Sequence, residues 1–173
     1  MAGLIHLYIG NGKGKTTASV GLSVRARGRD KTVVFAQFLK SGVTGELRSL
    51  EKLGIRVIRS DVTFGFTHRM DEQTKAACRY EQNRLINLIN EAMQAEKIDL
   101  LVLDEVLDAV NTGMLEDKAL RSLVENKDMD MEVALTGRDP AEWLVEAADY
   151  ISDIAKAKHP FDRGIRARIG IEK

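Results

Sequence analysis

The stretch IGNGKGKTT, residues 9–17, brings glycine, lysine and threonine together in a pattern that can grip a polyphosphate. Gly10, Gly12 and Gly14 let successive backbone N–H groups converge on one anion without Cβ obstruction, and a helix opening directly afterwards would point its positive end at the same spot. Lys15 adds a point charge, and the Thr16 hydroxyl can ligate the magnesium that accompanies a nucleoside triphosphate. The spacing departs from the usual GxxxxGK[ST]: counting back from Gly14-Lys15-Thr16 puts the leading glycine at Ile9, whereas the chain has it at Gly10. The competing reading is a glycine-rich strand-to-helix turn that binds nothing.

A second stretch, DLLVLDE at residues 99–105, is an apolar run ending in two carboxylates. A strand of this kind sets an acid beside a phosphate loop to hold or orient magnesium, although a strand ending in Asp-Glu is also an ordinary surface feature. Asp104 and Glu105 are adjacent and so point different ways, which suits one to direct metal coordination and the other to coordination through water. Arg138, in Thr136-Gly137-Arg138, fits a phosphate-sensing arginine and a plain strand-end charge equally well. No Ser, His and Asp constellation for nucleophilic catalysis is evident.

These residues need a scaffold, and the hydrophobic pattern supplies one. Short apolar runs at 4–9, 32–39, 55–58, 99–103 and 131–136 read as strands, with a last one at 150–155. Helical spacing is expected at 16–27, at 45–53 through Leu47, Leu50 and Leu53, and over the long segment 71–96, where Leu85, Ile89 and Ala92 share a face. Strands that are almost wholly apolar and alternate with helices predict an α/β fold, a mainly parallel sheet covered by helices on both faces. The C-terminal segment 156–173 is basic and aperiodic, and reads as an ordered tail or loop.

With 173 residues, 44% of them hydrophobic, the chain is about one domain long, residues 1–173. Lys plus Arg and Asp plus Glu both number 26, so no net charge drives binding to nucleic acid or to an anionic membrane. No run approaches the roughly 20 apolar residues of a membrane helix, and no signal-peptide pattern is present, so a soluble, cytoplasmic protein is expected. The single cysteine, Cys78, has no partner for a disulfide or a thiolate metal site and reads as a small buried apolar residue. His6, inside the first strand, reads as a satisfied core residue, and His159 as bonded within its own loop.

The order IGNGKGKTT, FLKSG (38–42), GFT (65–67), VLDE (102–105), LTGR (135–138) and KHPFDRGIRARIGIE (158–172) closely resembles the cobalamin-biosynthesis type of ATP:corrinoid adenosyltransferase, over nearly the whole chain. In that family the first glycine of the phosphate loop is displaced by one, as here. The resemblance implies a P-loop (RecA-like) fold and transfer of an adenosyl group: the Co(I) form of a corrinoid attacks the 5′ carbon of ATP and triphosphate leaves. It also implies magnesium as cofactor, and ATP and a reduced corrinoid as substrates (cobalamin, cobinamide or cobyrinate diamide). A separate electron donor such as a flavoprotein and a homodimer are further implications.

Carried over residue by residue, the resemblance makes Gly10, Asn11, Gly12, Lys13, Gly14, Lys15, Thr16 and Thr17 the ATP-binding loop, with Lys13 and Lys15 neutralising charge on the departing triphosphate. Lys15 and Glu105 would be the catalytic residues, with Thr16 and Glu105 holding magnesium and Asp104 as a further ligand. Phe66 and His68 lie where the family presses bulky side chains on the lower corrin face to displace the lower axial ligand, so that Co(II) becomes reducible. Some relatives have tryptophan at His68, and imidazole is smaller and can also ligate cobalt. The chain begins only a few residues before the first strand, so the N-terminal extension that covers the active site in some relatives is not expected. It ends in Lys173 where an aromatic is common. Two other readings stay open: a small NTPase or nucleotide kinase that cleaves the γ-phosphate, and a non-catalytic nucleotide-binding or corrinoid-carrying module. The latter usually presents a DxHxxG run, which this sequence lacks.

Overall fold

A computed structural model describes every residue except Met1, Ser41, Val43 and Lys173. Ser41 of the FLKSG stretch and the terminal Lys173 therefore lie outside the described residues. The remainder builds one sheet of six strands in the order β3-β2-β4-β5-β1-β6, and every neighbouring pair is parallel. The strands are β1 (Ile5–Ile9), β2 (Val33–Gln37), β3 (Arg56–Arg59), β4 (Leu100–Asp104), β5 (Glu132–Thr136) and β6 (Tyr150–Asp153).

Side chains on β1 to β5 alternate between two apolar layers, while the edge strand β6 is exposed along its length. Leu7, Val34, Ala36, Leu101, Leu103, Val133 and Leu135 pack on one face, against the long helix α3 (Glu72–Ala95) and the helices α4 (Val106–Asn111), α5 (Asp117–Glu125) and α6 (Glu142–Ala147). Val33, Phe35, Leu100, Val102 and Ala134 pack on the other, against Val20, Leu22 and Ala26 of α1 (Lys15–Arg27) and Leu50 of α2 (Gly45–Lys52). Both faces of the sheet are covered, as the continuous apolar runs require. The expected strands and longer helices are present with ends shifted by a residue or two. Helices α4, α5 and α6 were not anticipated. Cys78 is buried beside Gln82, as expected. His6 is partly rather than fully buried: it bonds Glu132 at 2.9 Å and stacks on Tyr150.

Because all strands are parallel, their carboxyl ends lie along one edge of the sheet, where ligands of open α/β sheets bind. Ile9, Gln37, Asp104 and Thr136 each close a strand there. The displaced glycine has its explanation at this edge. Ile9 is still a strand residue, in register with Asp153 of β6, and its carbonyl accepts the Ile154 N–H at 2.8 Å. The chain leaves the strand only at Gly10, whose φ of 104° is costly for a residue with a Cβ. A Cβ there would also run into the Asp153 carboxylate and come within 2.6 Å of the Ile154 carbonyl oxygen.

Candidate active site

A cavity of about 800 Å³ opens at this edge. Its walls are the glycine-rich loop and the start of α1, Lys40, the Glu105 and Asp108 turn, Thr136 and Arg138, and the C-terminal segment from His159 to Glu172. The loop is held from the β6 side. Gly12 donates its N–H to Ile154 O at 2.7 Å, and the Asn11 side chain accepts the Lys156 N–H at 2.8 Å. The Gly12 amide is thus bonded to the chain that follows β6. The N–H groups of Lys15, Thr16 and Thr17 open α1 ahead of its first intrahelical bond, from Ala18 to Gly14. Lys15 folds back on the loop, donating to Gly10 O at 2.6 Å and Gly12 O at 3.0 Å, and burial lowers its pKa.

The acidic pair divides its work as adjacent residues on a strand end must. Asp104 is fully buried; its Oδ1 accepts from the Thr136 hydroxyl at 2.8 Å, and its Oδ2 from Lys40 at 2.8 Å and Gln37 at 3.3 Å. Glu105 turns the other way, into the cavity, through a left-handed backbone with φ 60°. That conformation is uncommon for a residue with a side chain and clusters at functional sites. The Glu105 N–H is held by Thr136 Oγ1 at 2.9 Å. About a third of the Glu105 side chain is exposed, yet its carboxyl lies deep enough that burial pushes its pKa up, partly offset by the charge of Lys40.

Lys40, a residue of the FLKSG stretch with no role evident from the sequence, stands at the centre of the site. Its ammonium lies 2.8 Å from Asp104 Oδ2, 3.2 Å from Glu105 Oε1 and 3.2 Å from Thr16 Oγ1. Burial works against its charge, but Asp104 and Glu105 outweigh burial and raise its pKa. The three residues expected to hold magnesium therefore converge on one cationic point. All three donors are oxygens, the set that magnesium takes, so the residues present fit that ion. Among the described residues no cluster of three or more His, Cys, Asp or Glu side chains has metal-binding geometry.

Arg138 lines the same cavity and lies 3.7 Å from Asp108, whose pKa burial raises. His159 lies in the wall with Nδ1 accepting the Phe161 N–H at 3.1 Å, bonded within its loop as expected. Phe66 and His68 stand apart from the cavity lining. Phe66 immediately precedes a single 3-10 turn at Thr67–Arg69 and His68 lies within it, with ring centroids 5.6 Å apart, and Arg69 lies 5.8 Å from the Phe66 ring centre. Phe66 is 68% exposed, which excludes a role as a core aromatic.

A glycine-rich loop between a parallel strand and a helix, with an acidic strand end beside it, defines a P-loop-type α/β protein. A family model described as ATP:corrinoid adenosyltransferase BtuR/CobO/CobP matches residues 1–172, and the chain belongs to that family, whose activity is adenosylation of corrinoids by ATP. The chain is 32% identical over 171 residues to the corrinoid adenosyltransferase of Escherichia coli (strain K12), covering 98% of this chain and 85% of that protein. It is 31% identical to the corrinoid adenosyltransferase CobA of Salmonella typhimurium, with the same coverage. The Pseudomonas aeruginosa corrinoid adenosyltransferase is 29% identical, over 98% of this chain and 83% of that protein. No helix among the described residues is long and apolar enough to cross a membrane.

Proposed function

We propose that this enzyme transfers the 5′-deoxyadenosyl group of ATP to the Co(I) centre of a corrinoid and releases intact triphosphate. The cobalt electron pair forms the new bond to the 5′ carbon as the bond from that carbon to the α-phosphate oxygen breaks, with its electron pair leaving on triphosphate. Cobalt is the nucleophile, so the protein needs no general base. What the protein must supply is a cradle for negative charge that grows on the leaving group.

The observation that carries this reading is the convergence of Thr16, Asp104 and Glu105 on one cationic point beside the start of α1. Thr16 and Glu105, with Asp104, would hold magnesium, which when bound neutralises triphosphate oxygens. The amides at the start of α1 and the Lys15 ammonium, released from its loop carbonyls, would bind the phosphates. Lys13 and Arg138 face the same cavity and add positive charge. Phe66 and His68, exposed and outside this cavity, are free to press on the lower corrin face while Co(II) is reduced by a separate donor such as a flavoprotein. Anaerobic incubation with chemically reduced cobalamin and Mg-ATP tests the reading: the absorbance change of cobalt–carbon bond formation is expected, and its absence with folded protein would refute it.

A further inference from the structure

Lys40 occupies the one place where all three candidate metal ligands meet, and the backbone is strained to put it there. Leu39 has φ 56°, and the Lys40 N–H closes a tight turn onto Phe38 O at 2.6 Å. The Leu39 N–H is taken by the buried side chain of Gln82 at 3.0 Å, and the Phe38 N–H by Asp104 O at 2.9 Å. Left-handed backbone at a leucine costs free energy that an ordinary surface lysine would not need. The turn aims the side chain back along the sheet edge, where it is about four-fifths buried and its ammonium meets Asp104 at 2.8 Å.

We infer that Lys40 is the internal counter-ion of the nucleotide-free site and that it exchanges with magnesium when Mg-ATP binds. Without nucleotide, its ammonium keeps the fully buried Asp104 carboxylate compensated and holds Thr16 and Glu105 together. An unpaired buried carboxylate would be strongly destabilising. A divalent cation cannot use the same three oxygens while the ammonium lies between them. Metal entry alone must therefore expel a bonded cation, whereas ATP brings phosphate oxygens that offer the displaced ammonium a new partner. Lys40 is thus a positioning residue that disfavours free metal and couples its entry to nucleotide. This inference rests on the magnesium reading above.

The test reads metal binding without turnover. Manganese, an oxygen-seeking paramagnetic substitute for magnesium, is titrated into nucleotide-free protein and its free signal followed by electron paramagnetic resonance. Lys40→Met is expected to bind nucleotide-free manganese roughly tenfold or more tightly than wild type, a change of about 1.4 kcal/mol. Adding Glu105→Gln should abolish the gain, and Lys40→Arg, which keeps the charge, should not show it. The melting temperature of Lys40→Met should rise with added magnesium while that of wild type stays flat. Equal manganese affinity in wild type and Lys40→Met would overturn the exchange. If wild type with ATP binds manganese in a way Glu105→Gln does not weaken, the metal-site reading fails, and the exchange with it. Should Lys40→Met not fold, the wild-type Lys40 ammonium resonance, assigned with Lys40→Arg, decides: it must move on adding Mg-ATP, and an unmoved signal overturns the inference.

Discussion

The Thr136 hydroxyl donates to Asp104 Oδ1 at 2.8 Å while accepting the Glu105 N–H at 2.9 Å. One side chain on β5 thus fixes both halves of the acidic turn at the end of β4: the buried carboxylate and the left-handed residue that faces the cavity. Thr136→Val removes both bonds and leaves the Asp104 oxygen unpaired, at a cost of roughly 1 to 3 kcal/mol. Melting should fall by several degrees and turnover should drop as Glu105 loses its setting. Thr136→Ser keeps the hydroxyl and should recover most of the activity. A valine variant with wild-type turnover would show that Glu105 is positioned by something else.

Lys15→Ala should cost on the order of 100-fold or more in turnover, because it removes a charge aimed at the leaving triphosphate. The folded protein loses only two bonds from Lys15 to loop carbonyls, so circular dichroism should stay native. Steady-state kinetics with Co(I) supplied ready-made gives the answer.

Gly10→Ala places a methyl group against the Asp153 carboxylate and the Ile154 carbonyl at a φ of 104°. The loop and β6 must separate to admit it, so ATP binding measured by calorimetry should be lost or nearly so. Adding Asp153→Ala should not restore binding, because the Ile154 backbone carbonyl and the φ requirement remain. Full recovery in the double variant would place the whole conflict on the Asp153 side chain.

Phe66→Ala should leave the melting temperature unchanged, since the ring is 68% exposed. Activity should fall strongly when Co(II) must be reduced on the enzyme and much less when Co(I) is supplied, with ATP affinity unaltered. An equal fall in both assays would remove Phe66 from the reduction step.

The strands and the long helices were legible because a buried parallel sheet leaves continuous apolar runs, and α3 keeps its apolar stripe over Leu85, Ile89 and Ala92. Helices α4 and α6 are only six residues each, too short to show a period. Helix α5 was readable, with Leu120, Leu123 and Val124 at i, i+3, i+4. The loop, Thr16 and the acidic pair were legible because each motif is local. The place of Lys40 was not: it depends on β2 lying beside β4, with Gln37 in register with Asp104, so that the turn after β2 reaches over the acidic strand end. Thr136 is the same case one strand further on, since β5 beside β4 brings its hydroxyl to Asp104. Side-chain exposure at Phe66 likewise follows from tertiary packing, which no local pattern records.

Adenosyl transfer makes triphosphate the leaving group, and phosphorus NMR of a completed anaerobic reaction distinguishes it from phosphate cleavage. Triphosphate should accumulate in one-to-one ratio with the cobalt–carbon bond, with only traces of phosphate and diphosphate. Stoichiometric diphosphate plus phosphate, or nucleotide hydrolysis without a cobalt–carbon bond, would contradict it.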